Sequence, residues 1–319
     1  MSNRVKIGYI MIKKTLRQAL DFKNKLIKYK KIKNPKLYMT ILAKNEGDII
    51  EKQLQFHKAM GVDGFIVTDN NSSDNTLDIF KLYKEKGWIK EIICERNNNH
   101  EQSKWVDRMI RIARDKYNAD WVINSDADEF WSSNSGCLKH ELIQSVSNNI
   151  NVNVYNVLPE NTKDFYLNEK LIVNPGNICK NIMSELSPYS LYNEQIGKVI
   201  HRTKGYLKIN DGNHSVKMRM KSTQKSQDII IYHYNLRSPE HFKSKMINGG
   251  ASINSNKHLP TNTAQHWRYF YDIFVNQGKD YLDEYDKVVG TKYIKDFEMS
   301  NVFMVGTIVK DFFEGKNEH

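Results

Sequence analysis

The feature that most restricts the fold is an alternation, between Leu37 and Trp131, of short apolar runs with stretches of helical period. Leu37 to Ala43, Phe65 to Thr68, Trp88 to Cys94 and Trp121 to Asn124 read as strands. Asp48 to Met60, Asn75 to Lys86 and Gln102 to Tyr117 read as helices, the first two stopped by Gly61 and Gly87. Strands separated by helices of this length pair in parallel through right-handed crossovers, which predicts an α/β, Rossmann-like open sheet. Such sheets bind ligands at the carboxyl ends of their strands. Polar clusters fall at three of those ends: Lys44-Asn45-Glu46, Asp69 to Asp74, and Asp126-Ala127-Asp128-Glu129. After residue 135 the pattern weakens into Asn-rich connections up to about 230. A strand-like Ile229 to Tyr234 follows, then a helical, aromatic-rich tail from Thr263 to Phe313.

Asp126 and Asp128 stand at i and i+2 on an extended strand end, so their carboxylates project to one side. Two hard oxygen ligands suit Mg²⁺ or Mn²⁺, ions that keep positions open for phosphate and water. Acidic triplets at surface turns are common and carry no more than solvated charge, so it is the strand-end context that favours a metal. Asp69 is placed to accept hydrogen bonds from a base or ribose, and Ser73 or Asp74 to cap the next helix. Glu46 either faces a nucleotide or sits in the first turn of its helix, where the dipole favours acids.

Taken as an ordered set, these segments resemble the family 2 glycosyltransferases of the nucleotide-sugar-binding GT-A fold, and more closely their branch related to family 92. Ile41 to Glu46 is similar to the opening motif, Thr68 to Thr76 to the aspartate-serine-aspartate loop, and Asn124 to Trp131 to the D-x-D-E-F segment. Gly197 to Ile200 and Gly212-Asn213-His214 are similar to the later donor-site segments. Tyr232 to Ser238, with Phe242, Lys245 and Gly249-Gly250, is similar to the terminal His-Tyr segment.

The resemblance implies an inverting transfer from a nucleotide-diphosphosugar, a UDP-sugar first, to a hydroxyl of a glycan or lipid-linked saccharide, the group moved being hexosyl or N-acetylhexosaminyl. It implies Mn²⁺ or Mg²⁺ held by Asp126, Asp128 and His233, although His233 on its strand also reads as a core histidine. Donor contacts are expected from Glu46, Asp69, Asp126, Lys198 and His214, with Lys198 equally readable as a solvated strand-end charge. The chain departs from the commoner family 2 pattern in lacking a clear Glu-Asp pair after the D-x-D segment. The base is then sought among Glu160, Glu185, Glu194 and Asp211, with Glu194 first because it precedes the Lys198 segment.

Charge divides the chain of 319 residues. Residues 1–36 hold 12 Lys and Arg against one acid, Asp21, whereas the remainder balances 36 basic against 36 acidic side chains. We therefore expect three regions: a basic extension (1–36), the GT-A domain (37–255) and a helical C-terminal region (256–319). Ile12 to Ile32 can be drawn as a basic amphipathic helix, which either docks on an anionic membrane surface or packs on the domain. Trp267, Tyr269, Phe270, Tyr271, Phe274 and Tyr281 either line an acceptor groove or form core. No run reaches the length of a spanning helix, Ile7 to Ile12 is short for a signal-peptide core, and Cys94, Cys137 and Cys179 form no disulfide framework. A cytoplasmic protein, peripheral on the inner face of the membrane, is expected. Competing readings are a nucleic-acid-binding protein using the basic arm and a nucleotidyltransferase on the same fold. A neutral body argues against the former, so no nucleic acid is expected.

Overall fold

The structure is a computed structural model and describes residues 28–96, 101–161, 163–255 and 264–316. Its first half follows the predicted alternation: β1 (Leu37–Ala43), α1 (Ile50–Ala59), β2 (Gly64–Asp69), α2 (Thr76–Glu85), β3 (Ile89–Cys94), α3 (Gln102–Tyr117) and β4 (Trp121–Asp126). β1 pairs in parallel with both β2 and β4, and β2 pairs in parallel with β3. β1 and β2 are apolar on both faces because both are covered. Met39 and Ile41 of β1 pack toward Ile50, Leu54 and Phe80 of α1 and α2, while Tyr38 and Ile66 join Met109, Ile110 and Ala113 of α3 on the opposite side.

The stretch after residue 135 is far more ordered than its weak pattern suggests. It holds β5 (Glu129–Ser133), α4 (Lys139–Gln144), β6 (Asn149–Asn156), β7 (Lys170–Ile172), α5 (Lys180–Glu185), β8 (Lys198–Arg202), a β9 (Tyr206–Ile209) and β10 (Val216–Met218) ribbon, and β11 (Thr223–His233). The main sheet has eight strands in the order β3-β2-β1-β4-β8-β6-β11-β5. In a flat sheet β5 would lie roughly 19 Å from β4, four strand spacings away. Yet three Cα steps of about 3.8 Å each are all that join Asp126 to Glu129. The sheet must therefore curl until the end of β4 meets the start of β5, and the pinch falls on Ala127 and Asp128.

The C-terminal elements are α6 (Pro239–Ser255), α7 (Gln265–Tyr271), α8 (Tyr281–Val289), α9 (Ile294–Met299), β12 (Phe303–Val305) and α10 (Ile308–Phe313). α6 to α9 build a second core with residues 158–192, centred on Phe242, Phe270 and Tyr285. α7 closes tightly on α6 because Gly249 and Gly250 lack side chains: a Cβ on Gly249 would stand 2.6 Å from Trp267 Cδ2, and one on Gly250 would stand 2.8 Å from the Trp267 carbonyl oxygen.

Of the basic extension, residues 1–27, with most of the expected helix from Ile12 to Ile32, lie outside the described residues. Residues 28–32 are not helical. The Tyr29 backbone N–H donates to the Val146 carbonyl, its hydroxyl accepts from Asn148, and the Arg202 guanidinium lies over its ring. These tertiary partners replace the intrahelical bonds a last helical turn would need. Among the described residues, no helix is long and apolar enough to cross a membrane.

Candidate active site

The carboxyl ends of β1, β2 and β4 open into a cleft of about 630 Å³ lined by Asn45, Glu46, Asn70, Asp126, Asp128, His233 and Lys245, with α7 on its far wall. Two loops are tied together at its floor. Asn45, in the left-handed region at φ 57°, donates its N–H to Ser72 Oγ (3.0 Å) and accepts from the Ser73 N–H at Oδ1 (2.7 Å). Asp74 accepts from the backbone N–H groups of Gly47 (2.9 Å) and Thr76 (3.0 Å), which makes it a brace between the loops after β1 and β2. Asp69 is buried and accepts from the Ser72 N–H at 3.3 Å, while its Oδ1 has no partner among the described residues. Asn70, rather than Asp69, lines the cleft.

At the pinch, each acid of the D-x-D segment meets a lysine. Lys198 Nζ lies 2.5 Å from Asp126 Oδ2 and 2.6 Å from Glu129 Oε1, with the lysine and Glu129 both buried. Burial works against the ammonium, but Asp126 and Glu129 outweigh it and hold Lys198 above its ordinary value. Asp126 Oδ1 also accepts from Asn213 Nδ2 at 3.4 Å. Lys245 Nζ lies 2.8 Å from Asp128 Oδ2 and donates to the Asn235 side chain and carbonyl as well. Burial opposes ionisation of Asp128, and the Lys245 ammonium beside it overcomes that, so the carboxyl sits well below the usual carboxylate range.

His233 lies at the end of β11, and its orientation can be worked out from its neighbours. Asn156 donates from Nδ2 to the Leu191 carbonyl (2.8 Å), which turns its Oδ1 toward His233 Nδ1 at 2.9 Å. Nδ1 then carries a proton toward that oxygen, and Nε2 faces Asp128 Oδ1 across 3.6 Å. In the neutral ring Nε2 is a lone pair, and two acceptors converge on one small space. Beside them, Arg237 donates from Nε to Asp48 (2.6 Å) and from Nη2 to Glu46 (2.8 Å), joining the end of β11 to the loop after β1. Burial pushes the Glu46 carboxyl up to about 7 against the pull of Arg237.

The structure thus brings Glu46, Asp126, Asp128 and His233 together in the cleft. Lys198 stands behind Asp126. His214 lies outside the cleft lining, its Nδ1 3.2 Å from the Gly197 carbonyl oxygen. Glu194 is exposed on a loop whose neighbours Asn193 and Gln195 line the cleft. Glu160 and Glu185 are surface acids beside Lys170 and Lys292. Of the tail aromatics, Trp267 and Phe270 line the cleft, whereas Tyr281 lies beneath the Lys243 ammonium. Asn156, Lys245 and Arg237 belong to the site as well. The sequence signals the first as an asparagine in phase with the buried Ile150, Val152 and Val154, and the others by their place in the segment after His233.

Comparison with known proteins adds an independent observation. The sequence profile of glycosyltransferase family 92 matches residues 42–270. No curated protein matches the chain. Among solved structures, TarS 1–349 of S. aureus is similar at 15% identity, over 76% of this chain and 73% of that one, with a TM-score of 0.39. The mannosyltransferase PcManGT of Pyrobaculum calidifontis, in complex with GDP-Man and Mn²⁺, is 12% identical over 76% and 70%, TM-score 0.42. Glucosyl-3-phosphoglycerate synthase of Mycobacterium tuberculosis, in complex with Mn²⁺, UDP and glucosyl-3-phosphoglycerate, is 14% identical over 72% and 82%, TM-score 0.36.

Proposed function

The chain belongs to glycosyltransferase family 92, and on that premise we propose that it moves a hexosyl or N-acetylhexosaminyl group from a nucleotide-diphosphosugar to a glycan hydroxyl, with inversion and with a divalent cation. The observation that carries the metal is the pair of acceptors, Asp128 Oδ1 and His233 Nε2, facing each other at 3.6 Å. Two lone pairs so placed repel unless a cation or proton lies between them, and carboxylate with imidazole suits Mn²⁺. Among the described residues no three Asp, Glu, His or Cys side chains are grouped so as to hold a metal ion by themselves. A site that leaves positions for phosphate oxygens and water needs no such group.

Charge supports the same reading: Asp126 and Asp128 present carboxylate to an arriving diphosphate, and a divalent cation would offset that repulsion. Asp128 and His233 would hold the ion, with Asp126 reaching it directly or through water, and the ion when bound would stabilise the charge developing on the departing nucleoside diphosphate. Lys245 is close enough to Asp128 to add a second positive charge at that end. Glu46 and Asn70 are offered for the nucleoside, with Asp69, Lys198 and His214 as the supporting donor-side set. For the general base we keep Glu194, because the residues on either side of it line the cleft. The acceptor is proposed to be a cell-surface or lipid-linked saccharide, brought to the cleft at the inner face of the membrane.

Calorimetry with UDP and GDP, with Mn²⁺ and with excess chelator, tests the donor site. Binding only with the metal is expected, and its loss in Asp128→Asn without a fall in melting temperature. Equal affinity in chelator would overturn the metal assignment. Release of pyrophosphate in place of nucleoside diphosphate would overturn glycosyl transfer.

A further inference from the structure

The neutral charge balance of residues 37–319 hides a local separation. The β9-β10 ribbon packs its inner face, Tyr206, Ile209, Val216 and Met218, against Val106, Met109, Ile110 and Ala113 of α3. Its register shifts between Lys217 and Met218, so Leu207 and Lys208 together oppose the single residue Lys217. A bulge of this kind turns both residues of the longer strand to one side. All three are exposed, Leu207 at 40%.

Lys208 and Lys217 are direct cross-strand partners, an arrangement that destabilises a ribbon. Among the described residues neither has a carboxylate partner. Lys204 and Arg219, at the base of the ribbon, are exposed and equally without one, and the Arg219 N–H donates to the Gly205 carbonyl at 2.7 Å. Next to them Met220 is 52% exposed, and its carbonyl accepts from the hydroxyl of Tyr29, which is flanked by the exposed Lys28 and Lys30. Here the chain arrives from a segment, residues 1–27, that carries seven Lys and Arg against one acid. At the other end of the ribbon, Asn213 donates to Asp126.

We propose that this face is a docking surface for a bilayer containing anionic lipid. The cations match the headgroups, and Leu207 and Met220, standing among them, are suited to enter the boundary between headgroup and acyl chain. Exposed apolar side chains favour a lipid surface over nucleic acid, for which bases would need free aromatic platforms, and the ring of Tyr29 beside the patch is already covered by the Arg202 guanidinium. Because the ribbon leads from this face to Asp126, docking would hold the cleft beside the membrane. This inference goes beyond donor chemistry and does not depend on it.

The test uses the full chain and its Lys208→Ser/Lys217→Ser variant, sedimented with vesicles of phosphatidylcholine alone and of phosphatidylcholine with phosphatidylglycerol at 7:3, in 0.1 M salt. Each lysine near an anionic surface is worth about fivefold in partitioning, so the variant should bind the anionic vesicles about thirtyfold less tightly. Its melting temperature should be equal or higher, since a like-charge pair is gone, and its affinity for UDP with Mn²⁺ should be unchanged. Leu207→Ser alone should lower vesicle binding while sparing retention on heparin. Unchanged partitioning of the double variant would overturn the proposal. So would binding to heparin without binding to anionic vesicles.

Discussion

Replacing Lys198 with Met separates an architectural role for this residue from a donor contact. Lys198 is 4% exposed, and its ammonium sits between Asp126 Oδ2 and Glu129 Oε1. Without it, Glu129 keeps one polar contact, the Asp126 N–H at 3.2 Å, in a site where it is 1% exposed. Breaking a buried pair in this way costs about 3–5 kcal/mol. At roughly 2 cal/mol/K of unfolding entropy per residue, a chain of this size should lose about 4–8 °C in melting temperature. A second substitution, Glu129→Leu, removes the stranded carboxylate and should recover a large part of that loss, giving a coupling of about 1–3 kcal/mol in the double-mutant cycle. Calorimetric melts of the four proteins measure it, with affinity for UDP and Mn²⁺ taken on the same samples. A Lys198→Met protein that melts with the wild type yet has lost nucleotide binding would refute the reasoning, because Lys198 would then be spending its charge on the diphosphate.

Asn156→Ala removes the group that fixes the His233 tautomer, so Mn²⁺-dependent nucleotide binding should weaken about 10- to 100-fold; an unchanged affinity would show that the ring needs no such partner. His57 and His201 are buried and pushed down by burial to about 3 and about 4, and His241 and His266 to about 2 and about 4. Their unfolded forms take up protons first, so each contributes stability that is complete above pH 6.5 and lost at up to about 1.4 kcal/mol per pH unit below it. Glu46 and Glu129, each raised by burial to about 7, act in the opposite sense from pH 4.5 to 7, but they are outnumbered by the four histidines. Urea midpoints should therefore fall from pH 6.5 to 5, and a rise over that interval would refute the neutral, buried state of the histidines. Gly249→Ala places a methyl 2.6 Å from Trp267, so it should cost about 1–3 kcal/mol and alter tryptophan emission; a protein unchanged in both would mean that α7 can shift freely.

The sequence exposes the first half of the fold because β1, β2 and β4 are buried on both faces and the helices between them end at glycine or at Asn118, which adopts the left-handed conformation. Leu37–Ala43 and Gln102–Tyr117 coincide with the predicted spans. The second half is obscured for a chemical reason. β6 alternates Asn with Ile and Val, and Asn is a poor strand former, so a half-buried strand resembles a loop. β8 is buried throughout but begins and ends in Lys198 and Arg202, whose charges are satisfied by Asp126 and Glu129 and by the carbonyls of Ser145 and Ser147. A hydropathy pattern records these as surface. The acids of the site are visible as a local motif, but the cations that hold them come from about 70 or more residues downstream, and their pairing follows from topology.

The curl that brings β4 back to β5 also bears on how the molecule reaches its native state. Asp128 and Lys245 are 117 residues apart in the chain, and Glu46 and Arg237 are 191 apart. Contacts this remote close late, since the entropy of forming the intervening loops must be met before they give anything back. The parallel half, whose neighbours are local, is expected to condense first and to recover most of the helical signal. Nucleotide affinity is expected to return only with the slowest phase of refolding, when β11 seats between β6 and β5. A ligand held as proposed would bridge the ends of β4 and β11, contacts of this late-forming kind, so it should slow unfolding while leaving the folding rate nearly unchanged. Stopped-flow refolding with and without UDP and Mn²⁺ would display that asymmetry, and acceleration of the earliest phase by the ligand would contradict it.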